Sequence, residues 1–178
     1  MKQPKVAFII GHTKFSQGAY SKTFGKTEYQ FYNDLKPKLQ LLGDVFTHNP
    51  LIPSYTKRQI NTAKKTAHYD LVIELHFNSF DGITKGVEAL YYYNSLIANK
   101  TADKFCEEYS FLTGVKNRIA KGLSDKSQRG FGFVKHQKPV AILLEPFFGD
   151  NPFDCMKYNE DLFLNAIERT IEYYKEIK

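Results

Sequence analysis

The chain has 178 residues, of which 42% are hydrophobic and 15% aromatic, and a formal net charge of +6. That length and composition suit one globular domain with a sizeable core and exclude a disordered chain. No run approaches the roughly 18 consecutive apolar residues of a membrane span.

In chain order, the first segment is "MKQPKVAFIIGH". Lysines precede an apolar run, as in a leader, but VAFII is shorter than the roughly seven residues of a signal core and no small-residue cleavage site follows. The segment reads instead as a strand over 5–10, ending at Gly11-His12, and the protein is expected to be made in the cytoplasm without a signal peptide. Residues 28–42 carry Phe31, Leu35, Leu39 and Leu42 at helical spacing, with Pro37 expected to kink or split the helix. A short strand follows at 44–48, then a polar helix at 56–68 rich in Lys and Ala. "YDLVIELHF", 69–77, reads as a buried strand and "GVEALYYY", 86–93, as another. A helix over 96–112, a strand over 139–145 and an amphipathic helix over 157–177 complete the chain.

There is no internal repeat, low-complexity tract or linker, so the expectation is a single domain over 1–178 with no separate binding domain, and a monomer. Strands separated by helices predict an α/β fold: a twisted, mostly parallel β-sheet flanked by helices. Ligands in such sheets bind outside the carboxyl ends of the strands. His12 follows the first strand, His76 closes LVIELH and Glu145 closes PVAILLE. Three ionisable groups are thus expected on one edge of one sheet.

Cys106 and Cys155 lie far apart without C-x-x-C spacing and imply no disulfide framework. The positive charge favours polyanions in general, whether nucleic acid, anionic lipid or an acidic wall polymer. A nucleic-acid module is not supported, since the chain has no glycine-rich phosphate loop, zinc-finger spacing or aromatic RNP motif. G-x-S-x-G is absent as well, so no serine-nucleophile signature is present.

Zinc favours imidazole nitrogen and carboxylate oxygen, and a catalytic site uses three protein ligands with a fourth position for water. His12 and His76 supply two. Glu28, which opens the first helix, is a candidate third, although a carboxylate in a first helical turn is also favoured by the helix dipole alone. Glu74, two residues before His76, shares its side of the strand. It is either a partner that orients an imidazole, a competing ligand, or a strand residue capped by a lysine. His48, His68 and His136 have no partner motif and read as surface or packing residues, His136 with an added possibility of substrate contact. Tyr91–Tyr93 and Phe147-Phe148 have the chemistry to stack on sugars, and equally to pack a sheet.

The series Gly11-His12, Gly18-Ala19, Glu28, "HFN" at 76–78, "GVEALYYY" at 86–93 and "PVAILLEPFFGDN" at 139–151 resembles the zinc-dependent N-acetylmuramoyl-L-alanine amidases of bacterial autolysins and phage endolysins. The likeness keeps the same order from residue 5 to about 170. It implies zinc held by His12, Glu28 and His76, with Glu145 as the catalytic glutamate. The implied reaction cleaves the amide between N-acetylmuramic acid and the L-alanine of the stem peptide in bacterial peptidoglycan. Another zinc amide hydrolase, of carboxypeptidase or deacylase type, is the alternative. The chain departs from the family pattern at Ile9-Ile10, where Asp-Pro is usual, at Thr13-Lys14, and at Glu74, where a small polar residue is common. The family's arginine falls on Arg118 or Arg129. An endolysin that reaches the wall through a membrane pore is the expected setting.

Overall fold

The computed structural model describes residues 3–178. Met1 and Lys2, which open the stretch read for a leader, lie outside the described residues. Eight strands and seven helices follow in chain order: β1 (Val6–Ile10), β2 (Tyr20–Ser21), β3 (Lys26–Thr27), α1 (Glu28–Asp34), α2 (Lys36–Leu39), β4 (Asp44–Thr47), α3 (Tyr55–Thr66), β5 (Leu71–Leu75), β6 (Val87–Tyr92), α4 (Leu96–Thr113), β7 (Asn117–Leu123), α5 (Phe131–His136), β8 (Val140–Glu145), α6 (Pro152–Lys157) and α7 (Glu160–Ile177). No helix among the described residues is long and apolar enough to cross a membrane.

Six strands form one sheet in the order β4-β1-β5-β8-β6-β7. The first four are mutually parallel. β6 runs antiparallel to β8, with β7 parallel to β6. β2 and β3 form a separate two-stranded hairpin. This is the mostly parallel α/β sheet expected from the alternation of elements, with one reversal.

β1 and β5 are buried along their whole length, which is why both read as continuous apolar runs. Their alternate residues feed two cores. Val6, Phe8 and Ile10, with Leu71, Ile73 and Leu75, face the thick layer built by α1, α2, α4 and α7, including Tyr32, Phe105 and Phe163. Ala7, Ile9 and Val72, with Ala141 and Leu143, face a thinner layer that includes Phe133 and Val134 of α5. By the same alternation Glu74 and Glu145 point toward the thinner side, where α3 and α5 leave a cleft.

The helix expected over 28–42 is split. α1 ends at Asp34, and Pro37 sits in the first turn of α2, where its missing N–H costs nothing. The helix expected over 157–177 starts at Glu160, after the short α6 and an Asn159 cap that accepts from Leu162 N. Phe147 and Phe148 are both buried. Phe147 packs in a cluster with Phe24, Phe31, Phe77 and Tyr158, so its ring fills the core, and the Phe148 ring lies under Arg118.

Candidate metal centre and active site

β1 delivers His12 to the sheet edge through Gly11, whose N–H donates to Leu75 O at the end of β5. His12 has a left-handed φ of 66°, a conformation in which His is over-represented among non-glycine residues. The hairpin β2–β3 then returns the chain to Thr27. The Thr27 side chain accepts from Gln30 N while Gln30 Oε1 accepts from Thr27 N, a reciprocal cap that fixes where α1 begins. Glu28 is therefore the first helical residue, and it is buried.

Glu28 Oε2 lies 3.0 Å from His76 Nδ1 and 3.2 Å from His12 Nε2. Ala19 N and Phe77 N donate to the same carboxylate, at 2.9 Å to Oε1 and 3.3 Å to Oε2. One donor atom from each of His12, Glu28 and His76 falls within 4.8 Å of the others. His12 Nε2 is buried and makes no well-formed hydrogen bond despite its nearness to Glu28. An orphaned imidazole nitrogen beside a second imidazole and a carboxylate is a donor set that suits zinc.

Electrostatics follow from the same packing. Burial would raise the Glu28 pKa, but the close approach of His12 and the hydrogen bond and charge of His76 take it far below the ordinary range. Burial would lower His76, yet Glu28 and Glu74 raise it to about 10. The same two carboxylates favour a proton on this imidazole, so a metal bound there competes with that proton.

Glu74 lies behind the centre. Its Oε1 is 3.6 Å from His76 Nε2, the nitrogen turned away from Glu28. The same Oε1 is 2.8 Å from His48 Nε2, and His48 Nδ1 is 2.9 Å from Thr62 Oγ1. His48 is thus a buried member of a polar chain and not a surface residue.

Glu145 ends β8 in the same cleft, which measures about 580 Å³ and is also lined by His12, His76 and Arg129. Burial drives its pKa up to about 7. His76 and Arg129 oppose the rise, and Glu88 and Glu28 add to it. Asn78 Nδ2 donates to Glu145 Oε2 at 2.8 Å and to Glu88 Oε1 at 3.1 Å. A carboxyl that titrates near neutrality is suited to take and return a proton.

The two arginines separate. Arg118 is bound to Glu88 and lies 5.2 Å over the Phe148 ring, whereas Arg129 lines the cleft. His136, in the last turn of α5, lines the cleft too, and His68 stacks on Tyr69 away from it. Sequence reasoning passed over Glu88 and the side chain of Asn78. Both lie in stretches that carry the resemblance, HFN and GVEALYYY, but the sequence does not reveal the strand direction that brings them together.

A family model described as N-acetylmuramoyl-L-alanine amidase matches residues 6–173. Among curated proteins none matches significantly. Among solved structures, the catalytic domain of the CD27L endolysin targeting Clostridia difficile is similar, with a TM-score of 0.76 and 26% identity over 96% of this chain and 97% of that one. An N-acetylmuramoyl-L-alanine amidase from Clostridium difficile 630 shares the fold at a TM-score of 0.76 and 19% identity, over 99% and 100% of the two chains. So does the catalytic domain of CwlV from Bacillus (Paenibacillus) polymyxa var. colistinus, at 0.74 and 19%, over 98% and 99%. With nearly the whole chain matched by the family model, the protein belongs to the N-acetylmuramoyl-L-alanine amidase family.

Proposed function

We propose that His12, Glu28 and His76 hold a zinc ion and that Glu145 is the general base in hydrolysis of the amide between N-acetylmuramic acid and the L-alanine of the stem peptide. The family match makes the chain a peptidoglycan amidase acting on the cell wall. The observation that carries the residue assignment is the meeting of three donor atoms within 4.8 Å, with His12 and His76 lining the cleft that also holds Glu145. When bound, zinc supplies a Lewis acid that polarises the carbonyl and eases deprotonation of water near neutral pH.

This chain's own residues do the rest. Glu74, on the ring nitrogen turned away from Glu28, orients His76 and leaves Nδ1 facing Glu28. Glu145 Oε1 takes a proton from water while Asn78 occupies Oε2, and the carboxyl then delivers that proton to the departing alanine nitrogen. Burial of the carboxylate keeps its affinity for the proton in the range this exchange needs. Arg129 places a cation at the lip of the cleft, suited to the carboxylates of a stem peptide.

Glu145→Gln tests the assignment. The variant should stay folded and keep about one zinc per chain, with turnover lowered on the order of a hundredfold. Mass spectrometry of digested peptidoglycan should show free lactyl groups, not new peptide carboxyl ends. Glu28→Ala should lose metal while Glu74→Ala retains it. Metal retained in Glu28→Ala and lost in Glu74→Ala would move the third ligand to Glu74, and a near-native rate in Glu145→Gln would remove the base.

A further inference from the structure

Side chains three apart in a regular strand face opposite sides of the sheet. Arg118 and Lys121 are three apart on β7, yet both reach Glu88 Oε2, at 2.8 Å from Arg118 Nε and 2.6 Å from Lys121 Nζ. The cause is a bulge. Between the pairs Val87–Asn117 and Ala89–Ala120, β7 carries one residue more than β6. Ile119 takes a φ of 61° there, a costly conformation for a β-branched residue, and its side chain is exposed. The bulge is tied down on both sides: Ile119 N donates to Asn117 Oδ1 and Ala120 N to Asp103 Oδ1. The strain thus serves no packing of Ile119 itself. It returns two cations to one carboxylate.

That carboxylate is directly opposite Glu145 in the antiparallel β6–β8 pair. Like charges in that register destabilise a sheet unless something intervenes. Arg118 and Lys121 neutralise one side, and Asn78 bridges the two with both hydrogens of Nδ2. Asn78 Oδ1 accepts from Ser79 N. An ionised Glu88 can only accept, so it dictates which end of the Asn78 amide faces the two carboxylates. With that orientation fixed, Glu145 Oε2 is always occupied and Oε1 is the oxygen left for water.

We propose that Asn78, held by a Glu88 whose charge is clamped by Arg118 and Lys121 across the β7 bulge, is a positioning residue that sets the orientation of the Glu145 carboxylate. The inference rests on the reading of Glu145 as the base. Its test uses the zinc-loaded protein, a soluble muropeptide substrate, and the variants Asn78→Ala, Glu88→Gln, Glu145→Gln and the double variant Asn78→Ala with Glu145→Gln. Metal content and melting temperature are measured on each preparation.

Asn78→Ala should keep its metal and lose about tenfold or more in kcat with little change in KM. The acid limb of its pH–rate profile should move to higher pH, because loss of a donated hydrogen bond favours the protonated carboxyl. Glu88→Gln, which frees the amide to turn, should lower kcat in the same way, and it carries the test should Asn78→Ala not fold. In the Glu145→Gln background, Asn78→Ala should cost nothing further. Native kcat and an unmoved acid limb in a folded Asn78→Ala, with Glu145→Gln inactive, would overturn this inference alone. A near-native Glu145→Gln would overturn the base and this inference with it. An undiminished further loss in the double variant would show that Asn78 acts apart from Glu145, which also overturns it.

Discussion

Gly18→Ala probes how closely the chain is wrapped around the metal centre. Gly18 has a φ of +79°, and a Cβ added there would lie 2.6 Å from His12 Nε2 and 2.7 Å from Glu28 Oε1. Two costs follow. The left-handed conformation costs a residue with a Cβ about 1–2 kcal/mol. In addition His12 must retreat from 2.6 Å to the 3.4 Å at which ordinary contact begins, a shift of about 0.8 Å. Metal–ligand distances tolerate only about 0.2 Å, so that shift should weaken zinc by about 10- to 100-fold, or about 1.4–2.7 kcal/mol.

Two controls separate the costs. Gly25 also has a positive φ, +65°, but its nearest neighbour is 4.0 Å away, so Gly25→Ala carries the backbone cost alone. Gly11 has no such φ, and a Cβ there would sit 2.5 Å from His76 Nε2 and 2.6 Å from Leu75 O, so Gly11→Ala carries a steric wedge without the left-handed cost. Zinc affinity, measured by competition with a chromophoric chelator, should fall in Gly18→Ala and Gly11→Ala and stay native in Gly25→Ala. Melting of the metal-free proteins should drop in Gly18→Ala and Gly25→Ala by about 2–4 °C for each kcal/mol. Native zinc affinity in both Gly18→Ala and Gly11→Ala would refute the close wrapping.

Burial alone would raise the Glu88 pKa, but Lys121 and Arg118 hold it below its ordinary 4.5, so its pairing stabilises the fold above that pH and is lost as pH falls through the lower folded value. Lys121→Met should therefore cost on the order of 1 kcal/mol at neutral pH. That gap should narrow in urea titrations below pH 4.5, and a constant gap down to pH 2 would refute the linkage. If the +6 charge steers the enzyme to an anionic wall, lysis should slow steeply as salt rises toward physiological strength, where screening sets in at about 8 Å. Turnover of soluble muropeptides should change far less, and equal salt dependence on both substrates would remove the steering.

The sequence announced its parallel strands because burial on both faces leaves an unbroken apolar run: VAFII, LVIEL and VAILL show it. The carboxyl-edge rule then put His12, His76 and Glu145 on one side before any contact was known. β7 escaped because Asn117–Leu123 is a half-exposed edge strand whose charges and bulge break the alternation. α5 escaped because six residues after Gly130 are too few to show a period. His48 looked peripheral because its partners, Thr62 and Glu74, come from two other elements. Asn78 and Glu88 were unreadable as a pair for a related reason, since their meeting depends on β6 running against β8.

That reversal decides which loops the enzyme can vary. Because β6 enters the sheet at the edge where β5 and β8 leave it, the segment 79–86 lies at that edge, and the turn after β6 lies on the opposite rim. Segment 79–86 is fastened to the loop after β8 and to α6 in several places: Asp150 accepts from Phe80 N and Gly82 N, Asn151 donates to Ile83 O and Thr84 O, and Asp154 of α6 accepts from Gly86 N. Phe80 and Ile83 nonetheless stand out into solvent. The backbone of this rim is laced to a neighbour while its side chains are free, so residues 80 and 83 can change with the wall an enzyme meets without loosening the strands that carry Glu88 and Glu145.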